Sequence, residues 1–166
     1  MVNKFIQSAE AVGATIKHFS GLDEAGPYLA SLANGGTVTT SSLPPQLATL
    51  CSGMASGSAA PADATLCVSR AEAGIAATGS LLIDLKSAEE RGATALAPIH
   101  AVFLDPATIV PDIYSLGERI QQLLSAGDQA YFSLTTGPSR TADIERVLTI
   151  GVHGAKELHI LIMEGV

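Results

Sequence analysis

The sequence predicts an α/β sandwich with a mainly parallel sheet, on three observations. Short apolar runs recur along the chain, at Leu66-Cys67-Val68, Leu81-Leu82-Ile83, Ala101–Leu104, Tyr131–Leu134 and Leu158–Met163. Stretches with helical apolar spacing lie between or before them. Hydrophobic residues make up 47% of the 166 and charged residues 15%. That balance implies a substantial buried core and excludes a disordered chain. Aromatics are only 4% and Trp is absent, so the core has to be built from Ala, Leu, Ile and Val.

Taken in order, Phe5, Ile6, Ala9, Val12 and Ile16 recur at helical spacing and predict an amphipathic opening helix. A second helix is expected over Asp23–Leu32, stopped by Asn34-Gly35-Gly36. Thr37–Thr40 is a strand candidate, broken by Leu43-Pro44-Pro45, with a helical turn around Leu47. Cys51–Thr65 is rich in small residues and reads as a partly ordered surface loop within a single domain spanning 1–166. The runs at 66–68 and 81–83 are strands, the second preceded by a Thr78-Gly79-Ser80 turn that suggests a hairpin-like element. Ala101–Leu104 is a strand ending at Asp105-Pro106. Asp112 is the expected N-cap of a helix whose stripe is Ile113, Leu116, Ile120, Leu123 and Leu124, with Gly127 closing it. The strand Tyr131–Leu134 leads through Thr135–Thr141 into a helix expected over Ala142–Ile150, capped by Gly151, and Leu158–Met163 is the last strand.

The net charge of -7 argues against nonspecific nucleic-acid binding and against a polybasic membrane anchor. No apolar run reaches membrane-spanning length, and the first residues turn polar too soon for a signal peptide. Cys51 and Cys67 form no C-x-x-C pair and cannot alone hold a four-ligand zinc or iron–sulfur site. The expectation is a cytoplasmic chain with two free thiols, no metal site and no cofactor of its own.

Two loops carry chemistry. In Thr136-Gly137-Pro138-Ser139-Arg140-Thr141, Gly137 permits unusual backbone angles, Pro138 restricts the loop, and Ser139 or Thr141 can cap the following helix. A guanidinium beside free helix N–H groups would attract carboxylate or phosphate. The other reading is a capped helix in which Asp143 or Glu145 neutralises Arg140. On this sequence expectation, Thr135–Thr141 would lie at the carboxyl end of a strand, where α/β folds place their ligand crevice. The second loop, Gly151-Val152-His153-Gly154, sets an imidazole between glycines, suited either to acid/base work or to a backbone hydrogen bond. Glu72 is a candidate carboxylate nucleophile or else a solvated charge. Neither the G-x-x-x-x-G-K-[ST] phosphate loop nor a G-x-S-x-G elbow is present.

In order, Ala73-Gly74-Ile75-Ala76-Ala77-Thr78-Gly79-Ser80, Pro98-Ile99-His100, Thr136–Glu145 and Gly151-Val152-His153-Gly154 resemble the lactate-utilisation protein C family, the LUD domain. The resemblance runs from about Leu66 to Met163. Ala77 stands where such proteins commonly have an acidic residue, and Ala155 where a proline usually follows His-Gly. The resemblance implies a fold similar to the NagB/RpiA/CoA-transferase-like α/β sandwich. It also implies an accessory subunit in bacterial oxidation of L-lactate to pyruvate, with iron–sulfur clusters held by partner proteins. Laid on the matching motifs, His153 and Glu72 are the catalytic candidates. Thr78, Gly79, Ser80, Gly137, Ser139, Arg140, Thr141 and Gly154 are the candidates for binding a small anion. The alternatives are a stand-alone enzyme of the sugar-phosphate isomerase or CoA-transferase type, and a ligand-sensing module.

Overall fold

A computed structural model describes residues 1–54, 63–125, 131–144, 147–150 and 154–166 and, within 141–150, the backbone only. Helix α1 (Val2–Ala11) turns Phe5 and Ala9 inward. It ends sooner than the apolar spacing suggests. Gly13, at φ +94°, breaks the path, and Ile16 falls in strand β1 (Thr15–His18) instead of the helix. Helix α2 (Leu22–Ala33) stops at Asn34, whose N–H still bonds the Ala30 carbonyl while its left-handed backbone turns the chain out of the helix. Strand β2 (Val38–Ser41) is followed by α3 (Pro45–Ser52), where the expected turn around Leu47 is a full helix opened by a proline at its first position. Of the small-residue stretch 51–65, residues 55–62 lie outside the described residues.

Strand β3 (Leu66–Arg70) leads to β4 (Ala73–Ile75) and β5 (Ser80–Asp84), which pair antiparallel as the hairpin-like expectation has it. Helix α4 (Ala88–Leu96) has no counterpart in the sequence reading. It is opened by a capping box in which Ser87 and Glu90 satisfy each other's backbone N–H. Strand β6 (Ile99–Leu104) follows, then a short β7 (Ile109–Val110). Asp112 stands one residue before the N-cap, Ile113, of a single 3-10 turn, Tyr114–Leu116, and its side chain accepts from the Ser115 N–H and hydroxyl. Helix α5 (Gly117–Ser125) begins only after it. The expected cap at Gly127 lies outside the described residues, and β8 (Phe132–Thr135) comes next.

The helix expected over 142–150 is absent. The chain forms β9 (Arg140–Ile144) and β10 (Val147–Ile150), an antiparallel pair with Ile150 opposite Arg140. Thr141, Ile144, Val147, Thr149 and Ile150 are β-branched, which favours a strand over a helix. Strand β11 (Glu157–Ile162) is the last element.

The central sheet is wholly parallel, in the order β1-β11-β6-β3-β2. A second sheet, β7-β4-β5-β8, is parallel only at β4–β7. One face of the central sheet, with Val68, Phe103 and Leu161, packs on α2 and α3. The other, with Val102, Leu104 and Ile160, packs on Phe5 and Ala9 of α1 and on Leu81 and Ile83 of the second sheet. Leu116 and α5 cover the far side of that sheet through Ile75 and Leu82. Fully buried side chains of this kind contribute roughly 1.5–3 kcal/mol each. Helices therefore flank a mainly parallel sheet as expected, and on one side part of the flanking layer is a second sheet. Among the described residues no helix is long and apolar enough to cross a membrane.

Candidate functional site

A cleft of about 320 Å3 opens between the second sheet and the amino ends of the inner strands of the first. Its floor is His100 and Leu158, the second residues of β6 and β11. Its walls are Ser133 and Thr135 of β8, the C-terminal part of α4 at Thr94 and Ala95, and the loops carrying Gly137, Ser139 and Gly154. Ser133 and Thr135 pair with Ile83 and Leu81, which face the central sheet, so the pleat turns both hydroxyls toward the cleft. The site thus sits at the amino ends of the parallel strands, contrary to the carboxyl-end expectation. The reason is that β8, which leads into the 136–139 loop, belongs to the second sheet.

The two loops are locked together. Ser139 donates its N–H to the Ala155 carbonyl at 2.8 Å. A side chain at Gly154 would start 2.9 Å from Ser139 Cβ. Gly137, at φ +67°, passes so close to α1 that a Cβ there would stand 2.5 Å from the Val12 carbonyl. Below them the His100 ring is 2% exposed and its Nε2 lies 2.7 Å from the Ser69 hydroxyl. Burial pushes its pKa down to about 4, so the imidazole is neutral at physiological pH.

Of the anion-binding candidates, Gly137, Ser139 and Gly154 converge on this cleft. Arg140 is adjacent but exposed, and its guanidinium donates to the Val12 carbonyl at 2.7 Å. The helix N-terminus proposed beside it does not exist, because Arg140 and Thr141 open a strand, so neither Ser139 nor Thr141 caps a helix there and no helix dipole assists. Thr141 is described by its backbone alone. Thr78 and Gly79 lie in the β4–β5 turn and Ser80 opens β5. Gly79 is covered by α1, since a Cβ would stand 2.3 Å from the Ala9 nitrogen. The Ser80 hydroxyl joins Thr78 Oγ1 to Thr136 Oγ1, each at 2.7 Å, and so ties this turn to the 136–139 loop.

Glu72 is not brought to the cleft. It is held by two guanidiniums, Arg70 at 2.8 Å and Arg119 at 2.5 Å. A carboxylate gripped on both oxygens is a poor nucleophile, and it is not a solvated charge either. His153 lies outside the described residues. Among the described residues, no group of three or more His, Cys, Asp or Glu side chains could hold a metal ion. Sequence reasoning missed Ser69 and Ser133, and it marked Thr135 only as the start of the loop. The alternation of hydroxyls in Phe132-Ser133-Leu134-Thr135 is the signal for the last two.

The model of the LUD domain matches residues 58–163. The chain belongs to the LUD domain family. The match encloses every described residue that lines the cleft, whereas α1 and β1 precede it. Among LUD-type relatives, YkgG of Escherichia coli K12 is 38% identical over 98 residues, which are 57% of this chain and 42% of that protein. NMB1437 of Neisseria meningitidis is 33% identical over 93 residues, 56% of this chain and 40% of that one. Lactate utilization protein C of Bacillus pumilus is 29% identical over 91 residues, 53% and 38% of the two. The chain thus spans about two fifths of the length of these relatives. In three dimensions it is similar to a solved DUF162 family protein from Deinococcus radiodurans. That likeness has a TM-score of 0.65 at 17% identity and covers 98% of this chain and 95% of the other, a likeness of fold.

Proposed function

We propose that this LUD-domain chain is an accessory subunit of a bacterial, cytoplasmic system that oxidises L-lactate to pyruvate. In this reading it binds a small anion in the cleft at Gly137, Ser139 and Gly154. One observation carries it: the LUD domain match, residues 58–163, encloses the described residues that line the cleft, and relatives named lactate utilization protein C are 28–29% identical over 53–61% of this chain. Converting lactate to pyruvate removes two electrons and two protons, so the reading requires an electron acceptor. Iron–sulfur partner proteins are the class that would supply it. Cys51 and Cys67 suit such an arrangement, because each is buried in a different apolar cluster and burial pushes their thiols up to about 11 and about 12. Metal-bound sulfur must be thiolate.

The test is made in cells. A strain lacking the gene is expected to stop growing on L-lactate while still growing on pyruvate. The tagged chain from lactate-grown cells is expected to bring down iron–sulfur proteins, identified by mass spectrometry and by iron content. Wild-type growth of the deletion strain on lactate would overturn the reading.

A further inference from the structure

The described residues lining the cleft include hydroxyls, backbone, aliphatic groups and one imidazole, but no formally charged side chain. Among the described residues, nearby cations are engaged elsewhere or stand apart. Arg140 donates to the Val12 carbonyl on α1. Arg70 and Arg119 hold Glu72. Lys156 is exposed and does not line the cleft. Such a lining ranks ligands by charge. A phosphate monoester brings nearly two negative charges and three strong acceptors. Desolvating that charge with no counter-cation is costly. A single carboxylate is satisfied by two or three hydrogen-bond donors.

We propose that the cleft selects small, singly charged 2-hydroxycarboxylates and rejects phosphate esters, with Ser133, Thr135 and His100 reading the ligand's oxygens. The choice of L-lactate as probe rests on the proposed function, while the charge preference rests on the lining. Ser133 and Thr135 stand side by side on β8, their hydroxyl oxygens 3.4 Å apart. Each can both donate and accept, as a ligand hydroxyl requires. Ser69 is a positioning residue, holding His100 from the neighbouring strand at 2.7 Å. Because burial lowers the pKa of His100 to about 4, the ring adds no charge at neutral pH, and with Nε2 taken by Ser69 it is Nδ1 that is left for a ligand. A volume of about 320 Å3 is at the small end of ligand sites, which run from about 300 to 1,000 Å3, so a nucleotide-sized cofactor would protrude.

The test is calorimetric titration of the purified full chain with L-lactate, propionate and inorganic phosphate. L-lactate is expected to saturate one site. Propionate, which lacks the hydroxyl, is expected to bind at least about tenfold more weakly, because it leaves site hydroxyls unpaired. Phosphate is expected to give no saturable heat over the same range. Thr135→Val is expected to weaken L-lactate by about tenfold and to narrow its advantage over propionate. Ser133→Ala serves the same purpose if circular dichroism shows the first variant unfolded. The His100 imidazole nitrogen resonances are expected to move on adding L-lactate, and in Ser69→Ala to move less. Phosphate binding tighter than lactate, propionate matching lactate, or no lactate binding at all would each overturn the proposal. No lactate binding in a chain that cells need for growth on lactate removes this inference and leaves the proposed function standing. Lactate binding in a chain dispensable for that growth does the reverse.

Discussion

An alanine methyl at Gly79 would collide with the α1 backbone in a residue held at φ +68°. Both the clash and the left-handed backbone oppose it. Gly79→Ala is expected to cost roughly 2–4 kcal/mol, read as a lowered urea midpoint with an unchanged slope. His100 gives a pH signature. Above its ordinary pKa of about 6.5, neither the folded nor the unfolded chain protonates it. As pH falls below that, the unfolded chain takes up a proton that the buried ring refuses, so stability drops until about pH 4. The loss is on the order of 3 kcal/mol. Thermal melts of wild type and His100→Gln across that window are expected to differ in slope, with the variant flatter. Equal slopes would remove His100 as the source. At this scale the sequence was half legible. Gly137 and Gly154 stand where close backbone approach demands glycine, and local spacing marked them. The Arg140 partner was not legible, since Val12 lies 128 residues away.

Helix α4 shows what a local signal is worth. Ser87-Ala88-Glu89-Glu90 matches a capping box, yet the segment after it is too weakly apolar to stand out by periodicity. Glu90 also accepts from the Ser42 N–H and hydroxyl, at 3.1 and 2.9 Å, binding the helix to the end of β2. Ser87→Ala is expected to cost about 1 kcal/mol. Glu90→Ala is expected to cost more, about 2 kcal/mol, since a cap and a tertiary tie are lost together. Chemical denaturation ranks the two, and an equal cost would mean the tie to Ser42 contributes nothing. The β9–β10 pair was misread for the opposite reason. Good capping residues before 142–150 suggested a helix, while the β-branched residues within it specified a strand. Where an N-terminal signal and a segment's own residues disagree, the longer stretch decided.

Across the whole molecule, the parallel order of the central sheet was inferable only as a class. The pairing of β1 with β11 joins residues more than a hundred positions apart, beyond any local pattern. The thiols report on this assembly. Cys67 is fully buried and raised to about 12, and Cys51 is 2% exposed and raised to about 11. Neither is expected to react with a thiol reagent at pH near 8 until the fold opens. Cys67 labelling is expected to accelerate with denaturant in step with global unfolding, and prompt labelling in buffer would contradict its burial. The embrace of α1 by distant loops also bears on how the chain is born. Ser8 meets Ala76, Ala9 meets Gly79, and Val12 meets Gly137 and Arg140. A ribosome working at roughly 5–20 residues per second delivers those companions on the order of ten seconds after α1 itself. Helix α1 is therefore made well before the loops that shelter it, and Phe5 waits in water meanwhile.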